Sequence, residues 1–251
     1  MGSPGVLFDL YGTLVLSIRA EHAWRAWLGA LRQEASRLAP HAELGDDAEL
    51  RTRFWAAPPA GDDAGAGPET TPFERRIIGF LNVIDATTGP HSMREPADEL
   101  CRIWQAELLV DPRARAVLEA LGSRVPVGLA TNFDHPPHVR RVVQEEGLEP
   151  LFGEIVISGE EGSAKPEPGI LLKAAEGLGI DPQKCAYVGD SMVDYDAAVA
   201  AGMRPVIIRR HGRRTMDAEE EARLWHLRDR GEVTVIRSLD MVVPAIQDVW
   251  Q

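Results

Sequence analysis

Residues 5–14 of the chain read Gly-Val-Leu-Phe-Asp-Leu-Tyr-Gly-Thr-Leu. The apolar run Gly5–Phe8 predicts a buried β-strand, and the carboxylate of Asp9 follows it directly. Gly12 permits a tight turn after the strand, and Thr13 has a hydroxyl that can hydrogen-bond a neighbouring loop. In open parallel sheets, ligands bind beyond the carboxyl ends of the strands, so this stretch predicts a parallel sheet with a ligand site at its edge.

Further apolar runs predict the other strands of this sheet. They are Val125–Ala130, Ile155–Ile157, Ala186–Val188, Pro205–Ile208 and Val233–Ile236. Between several of them lie helical patterns, at Pro137–Glu146, Gly169–Leu178 and Ala197–Ala201. Strands that alternate with helices through short links are typical of an α/β fold, so we expect a doubly wound, parallel-sheet (Rossmann-like) core.

The stretch from residue 15 to residue 109 breaks this alternation. It contains three amphipathic helical patterns, Arg19–Ala39, Phe73–Ala86 and Pro96–Leu109. We therefore expect an inserted all-helical domain directly after the first strand. The predicted boundaries are residues 15–109 for the insert, and residues 1–14 together with 110–251 for the core.

The composition excludes several classes of protein. The 251 residues include 27 Lys and Arg against 39 Asp and Glu, which gives a net charge of −12. Nucleic acids and anionic membranes bind cationic surfaces, so neither is expected as a partner. No apolar run approaches the ~18–20 residues of a membrane helix, and no secretory signal is visible. We expect a cytoplasmic monomer or homodimer that acts on a small molecule.

Polar residues follow the second and third predicted strands. Thr131 and Asn132 come after Val125–Ala130, and their hydroxyl and amide groups can bind anionic oxygens. Lys165 lies between a strand and a helix, where Pro166 keeps its backbone extended. A lysine fixed beside carboxylates can stabilise developing negative charge. Each residue taken alone is equally compatible with an ordinary turn or a solvated side chain.

Two carboxylates, those of Asp190 and Asp194, follow the strand Ala186–Val188. Carboxylates so close together repel each other without a counter-charge, so a hard divalent cation with oxygen ligands is expected between them. The alternative is that Asp194 only caps the helix that follows.

Taken in order, four segments resemble the haloacid dehalogenase superfamily. They are Asp9-Leu10-Tyr11-Gly12-Thr13, Thr131-Asn132, Lys165-Pro166-Glu167-Pro168, and Gly189-Asp190-Ser191 through Asp194. The resemblance covers about Val6 to Val206 and includes a helical (C1-type) cap inserted after the first strand. It implies a hydrolase with the predicted α/β core.

The resemblance also implies roles for individual residues. Asp9 would be the nucleophile, and Thr131 and Lys165 would hold the transferred group and neutralise its charge. Thr13 and Asn132 would be further substrate-binding residues. The implied Mg²⁺ ligands are Asp9, Tyr11 through its carbonyl, Asp190 and Asp194, the last of which supports the metal or its waters.

The sequence departs from the superfamily's phosphatase pattern at Tyr11. Phosphatase members usually carry a second Asp there, which protonates the leaving alcohol and later activates water. Tyr11 keeps the backbone carbonyl but lacks the carboxylate, and a tyrosine with a pKa of ~10 is a poor general base at neutral pH. Tyrosine at this position is familiar in the 2-haloacid dehalogenase branch, which needs neither a leaving-group acid nor a metal.

Three functions remain open. Asp190 and Asp194 favour a Mg²⁺-dependent phosphatase that acts on a small phosphorylated metabolite through an aspartyl-phosphate at Asp9. Tyr11 favours a 2-haloacid dehalogenase that forms an ester at Asp9. The missing carboxylate is also compatible with a binding or regulatory protein that keeps the fold without efficient catalysis.

Overall fold

The computed structural model describes residues 3–17, 19–61, 69–86, 93–210 and 216–247. Eight strands lie within these ranges: β1 Ser3–Phe8, β2 Val15–Ser17, β3 Leu108–Val110, β4 Val127–Thr131, β5 Glu154–Ile157, β6 Ile180–Gly189, β7 Arg204–Ile208 and β8 Thr234–Ile236. The α-helices are α1 Ala20–Leu38, α2 Asp47–Ala56, α3 Pro72–Val83, α4 Arg94–Gln105, α5 Ala114–Gly122, α6 Pro136–Glu145, α7 Ser158–Glu161, α8 Gly169–Leu178, α9 Met192–Ala200, α10 Ala218–Asp229 and α11 Val242–Ala245.

Six strands form one sheet in the order β5-β4-β1-β6-β7-β8, and each pair of neighbours is parallel. The predicted doubly wound α/β core is thus confirmed. β1 lies near the middle because Val6, Leu7 and Phe8 are fully buried, as expected for a strand that is covered on both faces. Helices α8 and α9 pack on one face of the sheet around the side chains of Leu7, Val156, Ile170, Leu171, Tyr187 and Ala197.

The chain divides into two compact units. The first comprises Met1–Leu16, Val110–Phe133 and Arg140–Gln251, and the second comprises Ser17–Leu109 and Asp134–Val139. The first unit contains the six-stranded sheet. Helices α1 to α4 form most of the second unit. Among the described residues, no helix combines the length and the apolar content that crossing a membrane requires.

Aromatic side chains build much of the core of the second unit. The ring of Phe54 in α2 lies 5.1 Å from the ring of Trp27 and 5.4 Å from that of Phe80, measured between centroids. Side chains at both helix starts satisfy free N–H groups, since Asp46 caps α2 and Thr71 caps α3. These caps fix where each helix begins.

The insert differs from its predicted outline in two places. Helix α4 ends at Gln105, whereas the pattern predicts a helix to Leu109. Leu108–Val110 instead pairs with Val15–Ser17 in a separate two-stranded sheet. Short runs of aliphatic and β-branched residues suit strands better than helix ends, which explains the difference. Helix α2, Asp47–Ala56, is an element that the sequence patterns did not predict.

Candidate active site

The register of the sheet brings the predicted site residues to one edge. Phe8 of β1 pairs with Leu129 of β4 and with Val188 of β6. The chain segments that follow these strands therefore leave the sheet side by side, and the backbone N–H of Asp9 donates to the carbonyl of Val188 at 2.9 Å. The predicted residues thus brought together are Asp9, Thr131, Lys165, Asp190 and Asp194.

The ammonium group of Lys165 lies at the centre of this cluster. Nζ donates to Oδ1 of Asp9 at 2.7 Å, to Oδ1 of Asp194 at 2.7 Å and to the hydroxyl of Tyr187 at 2.8 Å. An ammonium group has three protons, so each has an acceptor. The Lys165 side chain is 4% exposed, and these contacts therefore hold a buried charge in one orientation.

Burial and charge act in opposite directions on the pKa values of this cluster. Burial alone would lower the pKa of Lys165, but the carboxylates of Asp194 and Asp9 outweigh it and raise that pKa well above its usual value. Burial raises the pKa of Asp9, against the opposing effect of Lys165. Burial would also raise the pKa of Asp194, but Lys165 lowers it below its usual value. Lys165 is therefore a stable cation in this site.

The two carboxylate oxygens of Asp9 have different surroundings. Oδ1 accepts hydrogen bonds from Thr131 Oγ1 at 2.9 Å and from Lys165 Nζ at 2.7 Å. Oδ2 accepts no hydrogen bond from any residue that the structure describes. One oxygen thus anchors the side chain, and the other remains available for a substrate or a metal ion.

Both oxygens of Asp194 are already bound within the protein. Oδ1 pairs with Lys165, while Oδ2 accepts from the hydroxyl of Ser191 at 2.6 Å and from the backbone N–H groups of Ser191 and Asp190 at 3.0 and 3.1 Å. Ser191 in turn caps α9, so the two residues form a capping box. Asp194 therefore both caps the helix, as the alternative interpretation held, and belongs to the charged cluster.

Asn132 holds the backbone of Lys165. Its amide nitrogen donates to the Lys165 carbonyl at 2.9 Å, and its amide oxygen accepts from the Lys165 N–H at 2.9 Å. This reciprocal pair fixes the loop that carries the lysine. The structure thus gives Asn132 a positioning contact, and its predicted contact with substrate remains a prediction.

Three buried carboxylates can hold a metal ion here. One oxygen from each of Asp9, Asp190 and Asp194 lies within 4.8 Å of the others. Hard oxygen donors of this kind suit Mg²⁺, and a divalent cation would offset the negative charge that one lysine leaves uncompensated. The residues therefore fit Mg²⁺. Both oxygens of Asp194 are engaged within the protein, whereas Oδ2 of Asp9 is open to bind an ion directly.

Gly12 allows the turn after β1 to lie against Asp190. Its φ is +86°, a conformation that side-chain-bearing residues rarely adopt. A Cβ atom on Gly12 would lie 2.2 Å from Oδ2 of Asp190. Glycine at this position therefore allows the loop that carries Asp9 to lie in close contact with the Asp190 carboxylate.

Tyr11 and Thr13, the remaining predicted site residues, lie in the turn after β1. The ring of Tyr11 packs against that of Phe133, with 5.0 Å between their centroids. Thr13 is fully buried, and its hydroxyl has no hydrogen-bond partner among the described residues. The structure thus places both in the loop of Asp9, while metal binding by Tyr11 and substrate binding by Thr13 remain predictions.

Tyr187 is a site residue that the sequence patterns did not reveal. It lies inside β6, where an apolar residue is expected, and its side chain is fully buried. Besides accepting from Lys165, its hydroxyl donates to the carbonyl of Ala130 at 2.8 Å. The signal that could have found it is a phenolic hydroxyl within a buried parallel strand, since such a group needs a partner.

Several known proteins with similar sequences are phosphatases. N-acylneuraminate-9-phosphatase of Mus musculus is 29% identical over 144 residues, which are 55% of this chain and 58% of that protein. The chain thus spans little more than half the length of the mouse enzyme. Phosphoglycolate phosphatase of Shigella dysenteriae serotype 1 (strain Sd197) is 29% identical over 217 residues, which are 79% of this chain and 78% of that protein.

Solved structures with the same fold include a phosphatase and a dehalogenase. A HAD phosphatase from Thermococcus onnurineus superimposes with a TM-score of 0.62 and 24% identity, over 97% of both chains. A 2-haloacid dehalogenase from Pseudomonas syringae pv. Tomato DC3000 does so with a TM-score of 0.66 and 22% identity, over 99% of this chain and 100% of that one. At such identities the likeness shows the shared fold and does not distinguish the two activities.

The family assignment rests on most of the chain. Residues 4–202 match the family of haloacid dehalogenase-like hydrolases. This range includes all four segments that carry the resemblance, and the structure brings Asp9, Lys165, Asp190 and Asp194 of those segments together at one edge of the sheet. The chain belongs to the haloacid dehalogenase-like hydrolase family.

Proposed function

We propose that the protein is a Mg²⁺-dependent phosphatase that hydrolyses a small phosphorylated metabolite, with Asp9 as the nucleophile. Its relatives support this class of substrate, since their names specify N-acylneuraminate 9-phosphate and phosphoglycolate. Both are small phosphate monoesters. The predicted anionic small-molecule substrate is of the same kind.

The observation that carries the proposal is the asymmetry of the Asp9 carboxylate. Thr131 and Lys165 bind only Oδ1, which leaves Oδ2 without a hydrogen bond from the described residues. A nucleophilic oxygen must be free to form a bond while its carboxylate is held in place. Oδ2 is therefore the oxygen proposed to attack phosphorus.

The proposed reaction has two steps. Oδ2 of Asp9 attacks phosphorus, the bond to the leaving alcohol breaks, and an aspartyl-phosphate forms. Water then attacks phosphorus and restores the carboxylate; one of its protons stays on the released phosphate and the other passes to solvent. The leaving alkoxide takes its proton from solvent, because Tyr11 offers no carboxylic acid.

Charge compensation is the main contribution of the other residues. Lys165 offsets the negative charge of Asp9 and of an approaching phosphate, and Thr131 keeps the carboxylate oriented. Asp190 and Asp9 would hold Mg²⁺, with Asp194 in support. When bound, the ion would reduce the repulsion between an anionic substrate and an anionic nucleophile.

The test uses p-nitrophenyl phosphate, whose leaving group needs no acid. We expect p-nitrophenolate release that depends on Mg²⁺ and falls by more than ~1,000-fold in Asp9→Asn. Asp196→Asn is the matched control, because Asp196 pairs with Arg223 outside the cluster, and it should keep full activity. Equal activity of the two variants, or release that is unaffected by a chelator, would contradict the proposal.

Tyr11 is the specific observation that favours a second candidate, a 2-haloacid dehalogenase with an ester intermediate at Asp9. This activity is tested with chloro- and bromo-substituted 2-haloacids and halide detection in the presence of a chelator. Halide release under these conditions, without phosphatase activity, would replace the first proposal by the second. Binding of Mg²⁺ without either reaction would favour the binding-protein alternative.

A further inference from the structure

The turn after β1 is held by its own backbone. The N–H groups of Leu14 and Val15 both donate to the carbonyl of Leu10 at 2.8 Å, and the N–H of Gly12 donates to the carbonyl of Val15 at 2.7 Å. These bonds use the acceptors of Leu10 and Val15. The carbonyls of Gly12 and Thr13 take no part in these backbone bonds.

The guanidinium group of Arg210 binds both of these carbonyls. Nη1 donates to the Gly12 carbonyl at 2.6 Å, and Nη2 donates to the Thr13 carbonyl at 2.7 Å. Arg210 follows β7, which lies two strand positions from β1 in the sheet order, a distance of roughly 10 Å at the usual strand spacing. A long side chain with a planar pair of donors suits this reach and this pair of acceptors.

A buried carboxylate completes the arrangement. Nη2 of Arg210 also donates to Oδ2 of Asp111 at 3.0 Å, and the two side chains are 11% and 3% exposed. Asp111 is itself tied to the same turn, because its backbone N–H donates to the carbonyl of Leu14 at 2.8 Å. The guanidinium charge is thus balanced inside the protein, and the pair is linked to the turn at three carbonyls.

We propose that Arg210, held by Asp111, is a positioning residue that fixes the turn of residues 10–15 and thereby the orientation of Asp9. Gly12 lies against Asp190, so a change in the direction of its carbonyl would also move the loop relative to the metal-site carboxylate. A displacement of about 1 Å at a reacting group can reduce a rate by about 100-fold. The kinetic part of this inference rests on the proposed phosphatase function, and the structural part does not.

The neighbouring arginine provides a matched control. Arg209 has the same side chain and is similarly buried, but its Nη2 donates to Glu221 of α10 at 2.8 Å. Glu221 lies in α10, the helix between β7 and β8. Arg209→Met therefore removes a similarly buried arginine whose ion-pair partner is 42% exposed and belongs to another element.

The first test measures amide hydrogen exchange by mass spectrometry in peptides that cover residues 9–15. We expect exchange to rise by at least 10-fold in Arg210→Met and to stay unchanged in Arg209→Met. Unchanged exchange in Arg210→Met overturns the proposal, whatever the activity of the protein. If exchange in Arg210→Met rises throughout the chain, the same measurement is made on Arg210→Lys, which keeps the positive charge but loses the planar pair of donors. A rise in Arg210→Lys that is confined to residues 9–15 supports the proposal. No rise in those residues overturns it.

The second test separates positioning from substrate binding. With p-nitrophenyl phosphate and Mg²⁺, we expect kcat of Arg210→Met to fall by 10- to 100-fold while KM changes by less than 3-fold, and Asp111→Asn to change in the same direction by less. Equal kcat in Arg210→Met and Arg209→Met overturns the inference and leaves the phosphatase assignment intact. If the unmodified protein has no phosphatase activity, the phosphatase assignment is overturned instead. The hydrogen-exchange measurement then tests by itself whether Arg210 fixes the turn.

Discussion

The ammonium group of Lys165 holds three other side chains of the site in place, because each of its protons is donated to a different acceptor. Two acceptors are carboxylates, and the third is the hydroxyl of Tyr187. The hydroxyl continues the network, because it donates to the carbonyl of Ala130 in β4. The orientation of the lysine therefore depends on an uncharged residue that lies inside a strand.

Removal of that hydroxyl tests this dependence. In Tyr187→Phe, one proton of Lys165 and the Ala130 carbonyl both lose their partner, which should cost ~1–3 kcal/mol of unfolding free energy. We expect kcat with p-nitrophenyl phosphate to fall about 10-fold, because Lys165 is free to turn away from Asp9. Tyr195→Phe, a change in α9 outside the charged cluster, is the control and should leave kcat unchanged.

Tyr11→Asp tests the missing acid. If leaving-group protonation limits turnover, a carboxylic acid at this position should raise kcat for alkyl phosphates by ~100-fold or more. It should change kcat little for p-nitrophenyl phosphate, whose leaving group needs no proton. Steady-state kinetics with both substrates measure the contrast, and Tyr11→Phe controls for loss of the phenol. A folded variant that binds Mg²⁺ but shows no gain with alkyl phosphates would count against this account.

The residues of the site differ in how well the sequence predicts them. Asp9, Thr131 and Asp190 follow apolar runs directly, so the fold class alone predicts that they meet. Tyr187 and Arg210 could not be predicted in this way. Their contacts join residues 22 and 198 positions apart, and they depend on strand order and register, which no local pattern contains.

At the scale of elements, the turn after β1 depends on a glycine in two separate ways. A side chain at Gly12 would both strain a positive φ and collide with Asp190. Gly231 has a similar φ of +75°, but a Cβ atom there would meet nothing within 4 Å. A comparison of the two glycines therefore separates backbone strain from the collision.

The expected difference is measured by urea unfolding. Gly231→Ala should lower the unfolding free energy by ~1 kcal/mol, the cost of a left-handed conformation alone. Gly12→Ala should lower it by a further ~1–3 kcal/mol, because the Asp190 carboxylate has to move. Equal losses of unfolding free energy in the two variants would mean that the Asp190 side chain moves aside at no cost in free energy. Glycine would then be required at position 12 only for its positive φ.

Helix α3 begins at a buried network around His135. The hydroxyl of Thr71, the N-cap of α3, lies 2.9 Å from Nδ1 of this histidine, and Oδ1 of Asp98 in α4 lies 3.1 Å from Nε2. Burial lowers the pKa of His135, and the hydrogen bond to Asp98 opposes this only in part. The folded protein therefore holds the ring neutral at pH values where the unfolded chain is already protonated.

This difference makes stability depend on pH in a known direction. As the pH falls below ~6.5, the unfolded chain binds a proton at residue 135 and the folded protein does not, so the unfolding free energy falls until the pH reaches the lower folded pKa. We expect this slope, measured by urea unfolding between pH 5 and pH 8, to be smaller in His135→Gln. A slope in His135→Gln equal to that of the unmodified protein would refute the assignment to His135.

The sequence predicts the strands of the main sheet more completely than it predicts the helices. The six apolar runs all correspond to strands of the main sheet, because strands covered on both faces need continuous apolar sequence. Helix α2 buries few large apolar side chains, chiefly Leu50 and Phe54, so its periodicity is weak. Helix α5 was not predicted either, although its sequence contains an amphipathic pattern. Its buried residues Ala114, Val117, Leu118 and Leu121 have helical spacing.

At the scale of the whole molecule, the net charge of −12 is partly concentrated in one place. Three buried carboxylates lie together with Lys165 at one edge of the sheet. Elsewhere, carboxylates such as Asp196 and Glu160 pair with arginines near the surface. Among the carboxylates that the structure describes, this buried group is the one expected to gain stability from a divalent cation, because exposed carboxylates are already solvated.

Thermal unfolding with and without Mg²⁺ measures this gain. Saturation at 100 times the dissociation constant adds ~2.7 kcal/mol, which corresponds to a rise in Tm of roughly 5–10 °C for a chain of this size. Asp190→Asn should abolish the rise while the protein stays folded, and Asp196→Asn should keep it. A rise of the same size in Asp190→Asn would place the ion elsewhere.

The central position of β1 has a consequence for biosynthesis. Val6 pairs with Val127 on one side and with Ala186 on the other, so β1 is synthesised more than a hundred residues before either of its partner strands. Pairings of such long range fold slowly, and domains tend to fold as their residues emerge. Most of the helical unit, residues 17–109, is complete before either partner exists. The nascent chain therefore carries the apolar segment Val6–Phe8 unpaired through much of its synthesis, and the edge that carries Asp9 and Asp190 can form only after β6 has been made.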